Sequence, residues 1–396
     1  MKALIVGAGI SGLSAALALA KRGWTVDVLE KSREIREVGA GIQISPNGLR
    51  ILDELDVTKY IESSLFEPKN LELRSGKSGR KVFSIPLKKI SQKRWGARYI
   101  QIHRNDLIKG FLRSIENYAN INILTDRKVL SYTDNVESIS LKLSSGENLI
   151  GDLVIGADGL NSTIRSQMFN KTCPVYTGYM AWRCLTPIDK INKKYSQHNS
   201  CIWVGANKHA VTTTINSGKT INFVGVVKKE FETKESWTAL GTKDKLLEDF
   251  DGWDPQIKEI IENSGAIFQG GLFEREPLKS WTKGRAVLLG DAAHPMLPSM
   301  AQGASQSLED SVILAKFLNP ERDLRLSLTS FFEFRIKRVS KIQKRSRKNL
   351  EFFHLTNIVR RFLFFCILNF ISRIHPTVLH RGQDWIYGHK LNIYDK

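Results

Sequence analysis

Lys2-Ala3-Leu4-Ile5-Val6-Gly7-Ala8-Gly9-Ile10-Ser11-Gly12 is the stretch that decides the fold. Ala3 to Val6 is a short apolar run ending in β-branched residues, which suits a buried strand. Three glycines at G-x-G-x-x-G spacing follow, and Leu13 to Lys21 is rich in Ala and Leu, which favours a helix. A second apolar run, Thr25 to Leu29, ends at Glu30, 18 residues beyond Gly12. Strand, tight turn, helix, strand and acid together make a dinucleotide fingerprint. The glycines let a pyrophosphate approach the backbone, the helix start offers free N–H groups, and the acid accepts ribose hydroxyls. A carboxylate at that place argues against a 2′-phosphate. The motif leaves the identity of the dinucleotide open.

Two later stretches repeat the theme. Leu149 to Ile155 reads as a buried strand opening into Gly156-Ala157-Asp158-Gly159, with Asn161-Ser162 and Arg165 following on a predicted helix. Ala286 to Leu289 is another apolar strand, ending in Gly290-Asp291-Ala292-Ala293-His294-Pro295, then Gln302-Gly303-Ala304 and a helical stretch from Ser305 to Leu318. Each sets an acid beside a glycine at the carboxyl end of a strand, where open α/β sheets bind ligands. A helix starting near Gly303 can also aim its N–H groups at a phosphate or at developing negative charge.

These three motifs, in this order, resemble the single-component (group A) flavoprotein aromatic monooxygenases. The resemblance runs from Met1 to about Leu318 and continues more weakly to the end. It implies that Gly7, Gly9, Ser11 and Gly12, with Glu30 and its neighbour Lys31, hold the ADP half of FAD. It implies that Asp158-Gly159 touches both FAD and NAD(P)H, that Asp291 binds the ribitol, and that Gly303 and Ala304 lie by the flavin pyrimidine. Arg104, in Gln101-Ile102-His103-Arg104-Asn105-Asp106-Leu107, matches the family's flavin-contacting arginine. The stretches Gly39-Ala40-Gly41-Ile42-Gln43, Tyr179-Met180-Ala181-Trp182-Arg183, Gly252-Trp253-Asp254-Pro255, His294-Pro295-Met296-Leu297-Pro298 and Asp384-Trp385-Ile386-Tyr387-Gly388 are similar to the branch of salicylate, 3-hydroxybenzoate and 6-hydroxynicotinate hydroxylases. Gln43 joins the expected cofactor contacts on this ground.

The predicted class is therefore α/β. A Rossmann-like FAD-binding domain with GxGxxG, DG and GD motifs carries an inserted, mostly antiparallel β-sheet substrate domain and a C-terminal helical segment. Since the motifs lie far apart, the cofactor domain is discontinuous: residues 1–70, 100–170 and 273–330. Residues 71–99 and 171–272 show alternating runs such as Cys201-Ile202-Trp203-Val204 and form the substrate-binding sheet. From Phe331 the pattern turns helical, through 396.

The resemblance implies a reaction in which NADH or NADPH reduces the flavin, and O₂ then hydroxylates a small phenol- or salicylate-like acid through a C4a-hydroperoxyflavin. No metal is required. A phenol reacts better once deprotonated, so a base near its hydroxyl is expected. His209 is the candidate, just before a strand from Ala210 to Ile215. In the resembling branch a tyrosine follows four residues later, but this chain has Thr213, which offers no phenolic proton. A polar turn residue is the plainer reading of His209. Arg183 is a candidate for pairing with a substrate carboxylate in bidentate fashion, and a structural ion pair is its alternative. Pro298 matches a proline over the reactive edge of the flavin, acting through shape and solvent exclusion. His294 is expected to shape its turn.

Thr213 keeps open an epoxidase or a urate-type heterocycle hydroxylase, and a non-oxygenating flavin dehydrogenase is a further alternative. Composition raises one more. The 396 residues carry 59 Lys and Arg against 40 Asp and Glu, a net +19. Arg335 to Arg361 holds ten of those cations and one acid, Glu351, or +9. A nucleic-acid-binding or membrane-surface nucleotide sensor would use such a stretch. Aromatic residues are not interleaved through it as single-strand binding needs, so no nucleic-acid partner is expected. The plain expectation is a solvated helix face with Ile336, Val339, Ile342 and Phe352-Phe353 turned inward. Weak membrane-surface contact through 335–371 is the other, because Phe362 to Ile371 is apolar yet about half the roughly 20 residues a span needs. Cys173, Cys184, Cys201 and Cys366 form no C-x-x-C pair and suit a reducing cytoplasm. No secretion signal precedes the first glycine loop, and a monomer or homodimer is expected.

Overall fold

The structure, a computed structural model, describes residues 1–35, 41–169, 173–192, 198–230, 239–319 and 321–391. Gly39 and Ala40 of the sequence motif lie outside the described residues.

Lys2–Val6 forms the middle of a six-stranded sheet in the order Thr282–Lys283, Ala286–Leu288, Leu153–Gly156, Lys2–Val6, Thr25–Leu29, Ile121–Leu124. The last five strands run parallel. The chain goes from Lys2–Val6 to Thr25–Leu29 on one side and returns by Leu153–Gly156 on the other, so direction switches at the carboxyl end of Lys2–Val6. Such a switch point opens a crevice in the sheet edge. Helix Ile10–Ala20 fills the space above with ten buried residues. Its small side chains permit close contact with helix Gly303–Phe317, where the Ser14 and Ser311 hydroxyls meet at 2.6 Å. A three-stranded antiparallel sheet of Val129–Asp134, Ile139–Leu143 and Asn148–Gly151 flanks this layer.

A seven-stranded sheet stands apart from it, ordered Ile267–Glu274, Val175–Pro187, Thr220–Lys228, Lys208–Ile215, Ser200–Gly205, Leu71–Ser75, Lys81–Ile85. Only the pairing of Ser200–Gly205 with Leu71–Ser75 is parallel. Alternation gives this sheet two faces. Trp182, Ala210 and Phe223 turn outward and pack under helices Lys243–Asp249 and Pro255–Glu262. Ala181 and Val226 turn inward and pack with Leu297 and Leu350.

Helix Leu324–Phe353 closes the back of the molecule. It starts seven residues before Phe331, because Asp323 caps it by accepting from Leu326 N at 2.9 Å. Its buried stripe is Phe331, Arg335, Val339, Ile342, Ser346, Leu350 and Phe353, two steps of four for each step of three along one face. Two sequence expectations are corrected here. The basic stretch is not one solvated helix face: the helix stops at Phe353, helix Ile358–Ile374 leaves at 114°, and Arg335 is fully buried. Ile336 does pack against the main core but stays half-buried and also borders a groove, because it lies off the stripe phase.

Candidate active site

The three glycine-acid motifs meet at the carboxyl edge of the parallel sheet. Gly7 has φ +104°, and a side chain there would strike the Ala157 carbonyl at 2.6 Å, so the first loop lies against the second. A Cβ at Gly290 would come within 2.1 Å of Ser11 Oγ, so the third lies against the first. Glu30 accepts from Ala8 N at 3.0 Å through one oxygen and from Ser32 N through the other, which ties the acid to the glycine loop. Lys31 beside it is exposed. Helix Ile10–Ala20 starts at Gly9 with no side chain capping its amides, and a Cβ on Gly9 would meet nothing within 4 Å. That is the open cradle a pyrophosphate needs.

Asp158 accepts from Thr163 N at 2.7 Å, while its Oδ1 is buried without a partner among the described residues. Burial pushes its carboxyl above the ordinary range. Gly159 follows with φ +75° and open space around it. Asp291 is exposed beside His294. Desolvation by the surrounding protein pushes its carboxyl up, against the opposing pull of His294 and Arg104. An exposed carboxylate at the end of a parallel strand suits a hydroxyl-bearing ligand chain. Gly303 opens helix Gly303–Phe317 with free space at its Cβ position, and no side chain caps this helix either. Ala304 is the next residue, packed against the main core. These features fit FAD: a pyrophosphate cradle, two acids for hydroxyls, and a second helix start for the ring.

Above the edge hangs the inner face of the seven-stranded sheet. Register puts Ala181 opposite Val226 and Val226 opposite His209; Arg183 lies opposite Val224, Thr213 opposite Asn222. His209 therefore lies inside strand Lys208–Ile215, and the turn-residue reading is corrected: the strand starts two residues earlier than its apolar run. One strand and two residues separate His209 from Arg183, a backbone distance of roughly 12 Å that leaves room for an aromatic ring. Arg183 is buried, and burial together with the neighbouring Arg104 pulls its guanidinium down to about 10, still charged at pH 7. Thr213 Oγ1 accepts from Asn222 Nδ2 at 3.0 Å, and Asn222 Oδ1 accepts from Gly41 N. Gln43, on strand Gly41–Ile44, accepts from the Tyr99 hydroxyl at 2.6 Å. Pro298 is exposed in the 298–300 turn, next to Leu297, which reaches the inner face.

Several contacts here were not foreseen. His209 Nδ1 meets His354 Nε2 at 2.6 Å, and the His354 ring stands edge-on to Tyr179. Burial, then His354, drives His209 well below the usual histidine range, and burial brings His354 down to about 4. Both rings are neutral at pH 7. Arg165 donates to the Ala292 and Ala293 carbonyls and so clamps the third loop from the second motif. His294 holds Asp310 at 2.5 Å, and Asp310 also accepts from Gly290 N and from Arg335 Nε. Arg335 further pairs with Glu309 at 2.6 Å, shared by Arg338 at 2.8 Å. Burial alone would raise both carboxyls, but Arg335 with Arg338 on Glu309, and His294 with Arg335 on Asp310, outweigh it and hold them low. One sequence signal could have revealed this network: Arg335 falls on the apolar stripe, and Glu309-Asp310 sit inside an otherwise buried helix. Unpaired charges are not buried.

The FAD binding domain model matches residues 1–321 of the chain. The 3-hydroxybenzoate 6-hydroxylase 1 of Aquipseudomonas alcaligenes is 32% identical over 389 residues, 97% of each chain. The 6-hydroxynicotinate 3-monooxygenase of Pseudomonas fluorescens is 30% identical over 354 residues, 87% of this chain and 90% of that one. Klebsiella pneumoniae HpxO, solved with FAD and uric acid, superposes with a TM-score of 0.85 at 24% identity, covering 99% of this chain and 98% of that one. The matched domain, the two hydroxylating relatives and the cradle just described agree: the chain belongs to the family of FAD-dependent monooxygenases built on this FAD-binding domain.

Proposed function

We propose that this enzyme uses NADH or NADPH, FAD and O₂ to hydroxylate a small aromatic or heteroaromatic acid. The observation that carries the reading is the inner face of the seven-stranded sheet, where buried Arg183, with the half-buried Arg104 near it, and a neutral His209 stand at opposite ends of a ring-sized gap. FAD supplies the redox and oxygen-transferring chemistry when bound. Residues 1–70, 100–170 and 273–330 form the cofactor domain in this reading, 71–99 and 171–272 the substrate domain, and 331–396 the helical region.

The amides of Gly7 to Gly12 and the helix behind them take the pyrophosphate, with Glu30 and Lys31 at the adenosine end. Asp291 receives ribitol hydroxyls, and Asp158-Gly159 touches both FAD and NAD(P)H. Arg104, Gln43 and the Gly303-Ala304 amides surround the ring, the helix start favouring negative charge there. Pro298 excludes water from the reacting edge. Arg183 takes the substrate carboxylate. His209 orients the substrate hydroxyl, and a neutral imidazole can accept its proton as charge builds in the ring. A free phenol near pKa 10 would give little proton to so weak a base in the ground state, so transfer belongs to the transition state. His354, on the far nitrogen, fixes the His209 ring and its tautomer. A urate-type heterocycle is the second reading, favoured by Thr213, whose hydroxyl is already engaged by Asn222. A reducing, cytoplasmic setting completes the reading, on the spacing of the four cysteines, which form no C-x-x-C pair.

The test is a screen of hydroxybenzoates, hydroxynicotinates and oxopurines for stimulation of NADH and NADPH oxidation, with products weighed by mass spectrometry. A product one oxygen atom heavier than its substrate is expected. Hydrogen peroxide formed in step with every NADH consumed, with no heavier product from any compound, would sink the reading in favour of a flavin oxidase.

A further inference from the structure

Helix Ile358–Ile374 presents its apolar residues outward. One side is docked: Phe365 and Leu368 pack on Leu73, Val82, Val204 and Phe353, and Asn369 Nδ2 donates to the Val82 carbonyl at 3.0 Å. The other side carries Val359, Phe362, Leu363, Ile367, Phe370 and Ile374, each more than half exposed. Their spacing makes one stripe along the helix, the reverse of the usual arrangement in which the outward face is polar. A contiguous apolar stripe of this kind marks an interaction surface.

The charges around it narrow the partner. Arg360 and Arg373 are exposed on the same helix, and no acid occurs between Glu351 and Asp384. The next helix, Pro376–Tyr387, packs against the apolar helix and also borders a groove lined by Lys337, Lys341, Lys344, Arg345, Lys348 and Trp385. Lys341 Nζ lies 4.3 Å from the centre of the Trp385 indole. An apolar stripe joined through helix Pro376–Tyr387 to a lysine-rich groove suits an interface that is oily below and anionic above. A second copy of the chain would set arginine against arginine across a two-fold axis, with no acid on the helix to answer them. Among the described residues no single helix is long and apolar enough to cross a membrane. At 17 residues, docked along one side, this helix is shaped to lie flat.

We infer that helix Ile358–Ile374 docks the enzyme on the surface of an anionic phospholipid bilayer, its apolar stripe in the acyl boundary and the lysine-rich groove against the headgroups. The inference is independent of which ring the enzyme hydroxylates.

Flotation of the purified holoenzyme tests it, using vesicles of phosphatidylcholine alone or with one-third phosphatidylglycerol, at low and at physiological salt. The protein should float with the anionic vesicles at least ten-fold more than with the neutral ones, and less at the higher salt. A variant with Phe362→Asp, Leu363→Asp and Phe370→Asp should keep its flavin and lose flotation. A variant with Lys341→Gln, Lys344→Gln and Lys348→Gln should lose the preference for phosphatidylglycerol. Absence of flotation at both salts overturns the inference. So does a wild-type dimer, seen by light scattering, that the Asp variant converts to monomer while neither binds vesicles, since the stripe would then belong to a second copy.

Discussion

Two loops sit side by side on the same edge of the parallel sheet, and they are held in different ways. Gly7 to Gly12 is fixed by its own neighbourhood: Gly7 N donates to the Leu29 carbonyl, Leu13 N to Gly9, and Ala8 N to Glu30 at the end of the adjacent strand. Gly290 to Pro298 is fixed by side chains from elsewhere. Arg165 holds Ala292 and Ala293; Gln343 and Ser346 donate to the Pro295 and Leu297 carbonyls; Asp310, itself gripped by Arg335 and His294, takes Gly290 N. A loop of the first kind is written in about thirty consecutive residues. The second kind is assembled only when helices Gly303–Phe317 and Leu324–Phe353 pack.

The contrast breaks most sharply at Arg335. Arg335→Met keeps the volume but leaves Glu309 and Asp310 buried with half their countercharge removed. Losing one partner of a buried ion pair costs about 3–5 kcal/mol. Urea unfolding should show a loss of that size, and the flavin should dissociate from Arg335→Met at denaturant levels the wild type tolerates. An unchanged midpoint would mean that the second loop, like the first, holds itself.

The first loop should break from within, and two glycines three positions apart sharpen the point. A Cβ at Gly12 would lie 1.9 Å from the Gly7 carbonyl oxygen, backbone that cannot step aside, so Gly12→Ala should cost about 3 kcal/mol of stability and expel FAD. A Cβ at Gly9 meets nothing within 4 Å. Gly9→Ala should therefore melt within about 0.5 kcal/mol of the wild-type apoprotein while binding FAD at least ten-fold more weakly. Equal FAD affinity for Gly9→Ala and wild type would remove the pyrophosphate from this loop.

The same division explains what the sequence could tell. The strand, turn, helix and acid of residues 2–30 were readable because every partner is local and the glycine spacing has a steric cause. The two later acids were readable because each ends an apolar strand. The substrate roof was half readable: alternation marked the strands, and His209 was singled out, but its position within the strand and its partner were not. His354 lies 145 residues away, in a stretch whose obvious feature is charge. Charge itself misled. Arg335 and Lys341 look alike in a basic run, yet one is fully buried among acids and the other lies over Trp385 at a groove. Phase along the helix, not composition, separates them, since Arg335 shares the stripe of Phe331 and Val339.

The smallest effect extends the comparison to that roof. His354 ends the long helix, faces His209 and Tyr179, and has Lys228 and Glu351 nearby. In the unfolded chain its ring binds a proton below about 6.5; in the folded chain burial delays this to about 4. Unfolded molecules thus hold more protons between those values, and protonation there favours unfolding. Stability is complete above about pH 6.5, declines as pH falls toward 4, and levels below. From His354 alone the loss at pH 5 is about 2 kcal/mol relative to pH 8, on linkage between those two pKa values. His354→Gln retains a polar partner for His209 but no titrating ring. Its unfolding free energy should fall less steeply between pH 6.5 and 5 than that of the wild type, with the two proteins differing least in slope above pH 7. Parallel curves across that window would show that the His354 ring titrates alike in the folded and unfolded chains, and that burial against His209 does not hold it neutral as the pH falls below 6.5.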